Sequence, residues 1–108
     1  MKLSPEAIIA KPKLNGYLLK LLPQDDKSQY LQQAGFTLEN WQDLEKALRE
    51  QILSLDATPT ESDRYGDKYM ICGQITGING QSLDVVTIWM IEHETKITKF
   101  ITLFPNKS

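Results

Sequence analysis

The hydrophobic period of the chain changes near residue 56, and this change constrains the fold more than any other feature. Before it, one apolar stripe recurs at steps of three and four residues, formed by Trp41, Leu44, Leu48, Ile52 and Leu55. That spacing is typical of one face of an α-helix. After it, the period is two, and β-branched and aromatic residues are frequent, as in β-strands. The two halves together predict an α+β fold.

Four helices are predicted in the helical half, about residues 4–55, from the capping residues and helix breakers that bound them. Pro12 is expected to end the first helix and Gly35 the third. The fourth and longest helix carries the apolar stripe. The predicted ranges are 4–10, 13–22, 27–34 and 38–53.

Three antiparallel strands are predicted after a polar connection, over residues 68–78, 81–92 and 97–104. Asn79-Gly80 favours a two-residue type I′ turn between the first two strands, because both central residues of that turn need positive φ. A tight turn at Glu94-Thr95 is predicted between the last two. We therefore expect N-terminal helices packed on one face of a C-terminal antiparallel sheet of at least three strands. The predicted single domain spans 1–108, with the connection at 56–67 and the sheet at about 68–104.

The two turns predict which side chains share a face of the sheet. A turn centred on Asn79-Gly80 places Tyr69 opposite Met90 and Ile71 opposite Ile88, on an apolar face that we expect to pack against the helices. The opposite, helix-free face then receives a mixed set of polar and aromatic side chains: Lys68, Cys72, Gln74, Thr87, Trp89, Phe100 and Thr102. Aromatic rings beside threonines and a lysine are unusual on a solvated face, so we expect this face to bind a ligand.

The helix-free face carries the candidate site. Thr87, Thr102 and Lys68 are predicted to form a cluster of hydroxyl and ammonium donors that would hold a phosphodiester, with Trp89 or Phe100 stacking a base. Two further cations would come from the helical half, Lys13 and Lys27. The competing interpretation is that the threonines only stabilise the sheet and that the lysines are solvated surface residues.

Other kinds of site have little support in the sequence. His93, the single histidine, falls in the second turn between two glutamates, where we expect an exposed turn residue rather than a general base. Cys72 is expected to be packing material in the middle of a strand rather than a nucleophile. No metal-ligand spacing and no glycine-rich phosphate loop is present. We therefore expect neither a metal nor a cofactor.

The chain carries a net charge of −2, from 12 basic and 14 acidic residues. Most of the acidity lies in residues 37–67, which carry −5, whereas residues 1–36 carry +2 and residues 68–108 carry +1. The overall balance gives no positive field for nucleic acid, but both flanks that bear the candidate site are mildly basic. The single cysteine, the lack of a membrane-length apolar run and the lack of a signal-peptide core favour a cytoplasmic protein.

Short motifs spread over residues 8–105 resemble those of a bacterial family of uncharacterised small domains. They are Lys13-Leu14-x-x-Tyr17-Leu18-Leu19, Lys27-Ser28-x-x-x-Leu31, Gly35-Phe36, Tyr65-Gly66-x-Lys68-Tyr69, Val86-x-x-Trp89 and Phe100-Ile101-Thr102-Leu103-Phe104-Pro105. The genes of such domains often lie beside the gene of a small partner protein, as in toxin–antitoxin modules. The resemblance therefore implies a small antitoxin-like protein as partner.

A wider resemblance is to the ribonuclease toxins of the barnase–EndoU–colicin–RelE group. These toxins have N-terminal helices against an antiparallel sheet, and many end in a strand similar to Thr102-Leu103-Phe104-Pro105. The resemblance implies metal-independent RNA cleavage, in which a 2′-OH attacks the adjacent phosphorus at a site on the helix-free face. The implied catalytic residues are Lys68, Thr87, Thr102, Lys13 and Lys27, and the implied binding residues are Trp89, Phe100, Gln74 and Tyr65.

The alternative function is a non-catalytic protein-binding module that uses the same exposed Trp, Phe and Thr side chains. The acidic balance of the chain and the lack of a histidine in the expected site favour this alternative. Its partner would be the antitoxin-like protein or a second copy of the chain.

Overall fold

The fold is described from a computed structural model, which covers residues 2–14 and 27–106. The predicted second helix, over residues 13–22, falls almost entirely outside these described residues. Within them, no helix is long and apolar enough to cross a membrane.

The described residues form an α+β fold around a four-stranded antiparallel sheet in the order β1-β2-β3-β4. The strands are β1 (Thr58–Ser62), β2 (Gly66–Thr76), β3 (Ser82–Glu92) and β4 (Thr98–Pro105). The last three confirm the predicted strands to within two residues. The first lies inside the segment 56–67 that is predicted to be a connection. All five of its residues are exposed, so no buried apolar alternation marks it as a strand in the sequence.

The helices are α1 (Lys11–Lys13), α2 (Lys27–Gln32) and α3 (Trp41–Ala47), the last lying between a 3-10 turn (Leu38–Asn40) and a π-helical turn (Leu48–Ile52). The predicted longest helix is thus confirmed as one continuous helical run over 38–52. Leu44, Leu48 and Ile52 of its apolar stripe are fully buried, and Trp41 is half-buried against the core. The stripe therefore has the packing role that its spacing predicts.

The predicted first helix, over residues 4–10, is wrong. Ile8 instead lies against the edge of β4, where its N–H donates to the Thr98 carbonyl at 2.8 Å and its carbonyl accepts from the Phe100 N–H at 2.9 Å. The edge of a sheet offers unpaired backbone groups, and Ile8 satisfies two of them. The short helix α1 begins only after this contact and contains Pro12, which fits the first turn of a helix.

The turn between β2 and β3 is one residue longer than predicted. The Gly77 N–H donates to the Gln81 carbonyl at 3.0 Å and the Gly80 N–H to the Gly77 carbonyl at 3.0 Å, so the loop is residues 78–80. Gly80 has a φ of 84°, whereas Asn79 lacks the positive φ that a type I′ turn requires. The predicted type I′ turn is therefore wrong, and the loop is a three-residue one with glycine in the left-handed position.

The longer turn reverses the facing of every side chain on β3. Tyr69 pairs with Trp89 rather than with Met90, and Ile71 pairs with Thr87. Because side chains alternate along a strand, a shift of one residue moves each of them to the opposite face. The predicted facing of β2 is confirmed, but Thr87 and Trp89 turn to the buried face.

β4 pairs with β3 through a bulge. Trp89 lies opposite Phe100, as predicted, but the register then shifts, and Ile88 lies opposite Thr102. The bulge accommodates the extra residue Ile101 in β4. Phe100 therefore turns to the buried face together with Trp89, while Thr102 stays on the other face.

One hydrophobic cluster joins the two halves of the chain, since Leu48 and Ile52 belong to the same cluster as the sheet residues. The rings of Trp89 and Phe100 meet edge to face within it, with their centroids 5.2 Å apart. We call one side of the sheet the buried face, which carries Tyr69, Ile71, Ile75, Leu83, Val85, Thr87, Trp89, Phe100 and Leu103. We call the other the outer face, which carries Lys68, Met70, Cys72, Gln74, Ile88, Met90, Thr102 and Phe104.

Candidate functional site

Three of the predicted site residues lie in the core instead of on the surface. Thr87 and Trp89 are fully buried, and Phe100 is 2% exposed. The Trp89 Nε1–H donates to Thr87 Oγ1 at 2.8 Å, and that hydroxyl donates to the Ile71 carbonyl at 3.0 Å. Their hydrogen-bonding groups are thus satisfied inside the protein. The prediction that these side chains form an exposed binding surface is wrong, because the register of β3 is shifted by one residue.

The predicted site residues that stay on the outer face do not come together. Lys68 is half-buried and pairs with Glu61, at 3.4 Å between Nζ and Oε1. Gln74 is exposed, and its Nε2 donates to Asp84 Oδ1 at 2.8 Å. These two residues are six positions apart on one strand, a separation of about 20 Å at 3.3 Å per residue. They therefore cannot share one small ligand.

The remaining predicted site residues do not form a common site within the described part of the chain. Thr102 is half-buried on the outer face and lies opposite Ile88, so the predicted pair with Thr87 is not formed. Tyr65 is 62% exposed, in the turn before β2. The side chains of Lys13 and Lys27 lie outside the described part of the chain. Their predicted role is therefore not addressed by the geometry.

A polar cluster lies instead where the β1–β2 turn and the β3–β4 turn meet at one end of the sheet. We call it the turn cluster, formed by Ser62, Asp63, Arg64, Tyr65, Asp67 and His93. The two turns are neighbours because Gly66 pairs with Glu92 across β2 and β3. The His93 N–H also donates to the Tyr65 carbonyl at 2.9 Å, which ties one turn to the other. The sheet topology thus assembles residues that are about 30 positions apart in the sequence.

Asp63 holds the β1–β2 turn in shape. Its Oδ1 accepts from the Tyr65 N–H at 2.8 Å and from the Gly66 N–H at 3.2 Å, as an Asx turn does. These two backbone hydrogen bonds hold the pKa of the Asp63 carboxyl below its usual value, with smaller contributions from the charges of Lys68 and His93. Asp63 is therefore a structural acceptor that fixes the backbone beside His93.

His93 and Asp67 form a hydrogen-bonded pair at the surface. His93 Nε2 lies 3.1 Å from Asp67 Oδ1, and both side chains are 43% exposed. Because an ionised carboxylate only accepts, Nε2 is the donor. The Ser62 hydroxyl donates to the same oxygen at 2.7 Å. The hydrogen bonds from Ser62 and His93 hold the pKa of the Asp67 carboxyl below its usual value.

The order of these contacts excludes a serine nucleophile activated by histidine. In a nucleophilic triad the histidine lies between the serine and the carboxylate. Here Asp67 lies between Ser62 and His93, so Ser62 helps to hold the carboxylate. The pair can instead serve general acid–base chemistry at His93, because imidazole is the side chain suited to proton transfer near neutral pH.

A cleft of about 310 Å³ opens beside the turn cluster and is lined by Arg64, Tyr65, Glu92, Glu94 and Thr95. The Arg64 guanidinium lies over the Tyr65 ring at 4.9 Å, and its Nη2 donates to the Tyr65 hydroxyl at 2.9 Å. Glu92 accepts from Thr95 Oγ1 at 2.9 Å and pairs with Lys99 at 3.2 Å. These two contacts lower the pKa of the Glu92 carboxyl. An aromatic face, a cation and a carboxylate thus border one cleft.

Sequence reasoning predicts the exposed turn position of His93 correctly but not its partner. Asp67 belongs to the segment predicted to be a connection, and in the structure it lies on β2 opposite Ser62 of the unpredicted strand β1. The sequence carries only weak signals for β1 and the turn that follows it. The β-branched residues Thr58 and Thr60 occupy alternate positions, and Asp63 precedes a glycine-containing turn. In the part of the chain that the structure describes, no group of three or more His, Cys, Asp or Glu side chains is arranged to hold a metal ion.

The family model of a domain of unknown function, DUF6883, matches the chain over residues 3–107. Searches of curated proteins and of solved structures found no significant match. The match confirms the resemblance to a family of small domains without an assigned activity, and it carries no relationship to ribonuclease toxins. Since it spans nearly the whole sequence, the chain belongs to the DUF6883 family.

Proposed function

We propose that this domain is a metal-independent ribonuclease whose proton-transfer group is His93. In the reaction, a ribose 2′-OH loses its proton to the neutral imidazole, and the 2′ oxygen attacks the adjacent phosphorus. The bond from phosphorus to the 5′ oxygen breaks, and that oxygen takes a proton from solvent. The imidazolium returns its proton to solvent. The products are a 2′,3′-cyclic phosphate and a free 5′-OH end.

The observation that carries the proposal is the hydrogen bond of 3.1 Å between His93 Nε2 and Asp67 Oδ1. A carboxylate on one ring nitrogen orients the ring and stabilises the imidazolium that forms during proton transfer. The imidazole is partly exposed, so a substrate hydroxyl has access to it. Within residues 2–14 and 27–106, no group hydrogen-bonds the other ring nitrogen, Nδ1, which supports its use toward the 2′-OH.

Two neighbours of the pair suit an RNA substrate. Arg64, in the same turn as Asp63, carries the guanidinium group that binds phosphate oxygens best. Tyr65 offers an exposed ring on which a base can stack. The net charge of −2 provides no long-range attraction for RNA. Binding therefore depends on these local contacts and is expected to be weak and sensitive to salt.

The test is cleavage of a single-stranded RNA by the purified full chain in the presence of EDTA. We expect products that end in a 2′,3′-cyclic phosphate. His93→Ala is expected to lower the rate about 10²–10⁴-fold, the usual contribution of a general acid–base group. Asp67→Asn, which alters a positioning residue, is expected to lower kcat by a smaller factor and to leave KM unchanged.

The variants also provide the controls. Lys46→Ala, at an exposed position of α3, is expected to cleave like the unmodified chain, and His93→Ala purified in parallel reveals any contaminating nuclease. Circular dichroism and thermal unfolding must show that each variant is folded. RNA left intact by the folded protein, or cleaved equally by His93→Ala, would refute the proposal.

A second candidate function is protein binding through the outer face, with a small antitoxin-like protein as partner. It rests on the inference that the helical half covers the buried face and leaves the outer face open. The side chains of Ile52 and Leu55, which lie against Gly73 of β2, support that inference. The outer face exposes Phe104, 39% accessible, beside half-buried apolar residues such as Ile88. Partly exposed apolar side chains grouped on one face are typical of protein-binding surfaces.

Co-purification with the product of the adjacent gene tests the second candidate. We expect a stoichiometric complex in size-exclusion chromatography, and we expect Phe104→Asp to abolish it. Gln42→Asp, an exposed change on α3, serves as the matched control. If the chain instead elutes as a concentration-dependent dimer that Phe104→Asp dissociates, the outer face joins two copies. If Phe104→Asp changes neither assembly, this candidate is wrong.

A further inference from the structure

We infer that a second cleft, which shares no residue with the turn cluster, binds a carboxylate that carries a short apolar group. It opens between the N-terminal strap, residues 2–9, and the end of the helical run over 38–52. We call it the strap cleft, and its lining residues are Lys2, Leu3, Pro5, Arg49, Leu53 and Ser54. Its volume of about 300 Å³ reaches the lower end of the range for small-molecule sites. The inference is independent of the proposed ribonuclease, because it uses different residues.

Hydrogen bonds hold both walls of the strap cleft in place. Arg49 Nη1 donates to the Ala7 carbonyl at 2.7 Å, which ties the helical run to the strap. Arg49 Nε donates to Glu45 Oε2 at 3.1 Å, one helical turn earlier. Lys2 pairs through its backbone with Asp56 in an antiparallel bridge. The cleft is therefore preformed, and a ligand binds it without first ordering the strap.

The floor of the strap cleft is apolar. Leu3 and Leu53 belong to the hydrophobic core and are 5% and 3% exposed. Pro5 is exposed and adds its ring to the lining. A strongly hydrated ion gains nothing from such a floor, whereas an aliphatic group is stabilised there by leaving water.

Two cations border the strap cleft, and no carboxylate is among its lining residues within the described part of the chain. Arg49 is 34% exposed, and its Nη2 group has no hydrogen-bond partner among residues 2–14 and 27–106. Lys2 is exposed and forms no ion pair among the same residues. Glu45 offsets part of the charge of Arg49 but contacts only Nε. The Nη2 donors and the Lys2 ammonium group are thus available to an anion.

The end of the helical run also bears on the charge of the strap cleft. Carbonyl groups at a helix end repel anions most when they accept no hydrogen bond. Here the Leu53 N–H donates to the Leu48 carbonyl at 2.8 Å, and the Ser54 hydroxyl donates to the Glu50 carbonyl at 3.2 Å. These two bonded carbonyls direct less negative charge toward the cleft, and Arg49 in the same turn carries the opposite charge.

These features favour a carboxylate over a phosphate. A guanidinium group binds both anions, but a phosphate ion has no apolar part that uses the floor. A carboxylate on an aliphatic group uses the cations and the floor together. The C-terminal residue of a peptide that ends in leucine has this chemistry, and so has a small aliphatic acid.

N-acetyl-leucine, which resembles the last residue of a peptide, is the probe for the test. Its binding to the full chain is followed by NMR chemical shifts at low salt, and we expect a Kd on the order of 1 mM for a ligand of this size. The shifted amide signals are expected to include those of Leu3, Leu53 and Ser54. N-acetyl-leucinamide, which lacks the carboxylate, is expected to bind about 10-fold more weakly. N-acetylglycine, which lacks the aliphatic group, is expected to bind about 5-fold more weakly.

Hexanoate separates the two sources of such a ligand. It carries the same charge and an aliphatic group but no peptide group. Weaker binding of hexanoate than of N-acetyl-leucine supports a peptide end as the ligand, and equal binding supports a small aliphatic acid.

Variants of the two cations identify the groups responsible. Lys2→Glu reverses one charge without removing the hydrogen bond between Arg49 and Ala7, and we expect it to weaken the binding of N-acetyl-leucine about 5-fold. Lys46→Glu, an equal change of charge at an exposed position outside the strap cleft, is the matched control and is expected to leave the Kd unchanged. Arg49→Lys keeps the charge but loses the planar fork, so it is expected to weaken binding about 10-fold. Thermal unfolding shows that each variant is folded.

Several results would overturn the inference. If N-acetyl-leucinamide or inorganic phosphate binds as tightly as N-acetyl-leucine, the cleft does not recognise the charge or the aliphatic group. The absence of binding by every probe, or equal effects of Lys2→Glu and Lys46→Glu, would overturn it as well. None of these results bears on RNA cleavage at His93, so the failure of this inference is distinguishable from the failure of the proposed function.

Discussion

The buried face of the sheet and the turn cluster use similar side chains for opposite purposes. On the buried face, the Thr87 hydroxyl and the Trp89 indole bond to each other and are sealed from solvent. In the turn cluster, the Ser62 hydroxyl and the His93 imidazole bond to the same carboxylate and remain accessible. The composition of a cluster therefore does not reveal its role. Its place in the sheet, on the buried face or at the end where the two turns meet, is what decides its access to solvent.

The sequence predicts the exposure of His93 but not the burial of Trp89, because only the facing of Trp89 depends on the register of strand pairing. A strand residue changes face when the pairing shifts by one position, so the exposure of Trp89 depended on the length of a distant turn. A residue at the end of a hairpin is exposed in either register, so His93 was exposed whichever pairing formed. Sites on turns are accordingly the ones that sequence reasoning can locate before the sheet register is known.

Among the changes considered, Trp89→Ala is expected to have the largest effect on stability. A small effect would contradict the contrast between the buried face and the turn cluster. Removing this fully buried ring is expected to lower the free energy of unfolding by about 3–5 kcal/mol. Urea denaturation followed by circular dichroism measures the change. Phe104→Ala, at a 39% exposed position of the outer face, is the control and is expected to cost clearly less. Equal losses would mean that Trp89 is not a core residue.

Thr87→Val is expected to have an intermediate effect, because it leaves the Trp89 indole N–H buried without an acceptor. We expect a loss of about 1–3 kcal/mol in the free energy of unfolding. A double-mutant cycle with Trp89→Phe isolates the hydrogen bond and is expected to give a coupling of about 0.5–3 kcal/mol. Additive losses in the cycle would contradict the hydrogen bond between the two side chains.

The smallest expected effect concerns the acidic residues of the turn cluster. The pKa values of Asp63 and Asp67 are lowered in the folded protein, so both contribute stability above their unfolded pKa near 4. That contribution is lost as the pH falls through the folded pKa values. Asp63→Asn is therefore expected to lower the melting temperature at pH 7 and to have little effect at pH 2.

Thermal unfolding of Asp63→Asn at the two pH values makes this measurement. Asp43→Asn, on the exposed side of α3, is the matched control and is expected to leave the melting temperature nearly unchanged at pH 7. A melting-temperature difference of the same size at both pH values would show that the Asp63 charge does not stabilise the turn.

The sequence by itself determined the α+β class, the helical stripe through Leu44, Leu48 and Ile52, and three of the four strands. These features follow from hydrophobic periodicity, which is a local property and can be read over ten to fifteen residues. It also determined that His93 lies in an exposed turn. It did not reveal β1, whose five residues are all exposed and so carry no apolar alternation.

Only the tertiary structure decided which face of β3 is buried and which residues meet at the turn cluster. Asn79-Gly80 suits both a two-residue and a three-residue loop, and the two differ by one residue of register. The longer loop carries Trp89, Thr87 and, through the pairing with β4, Phe100 into the core. The partnership of Asp67 with His93 likewise required the β1–β2 turn to fold beside the β3–β4 turn. Contacts between residues so far apart depend on strand pairing across the whole sheet, which no local pattern specifies.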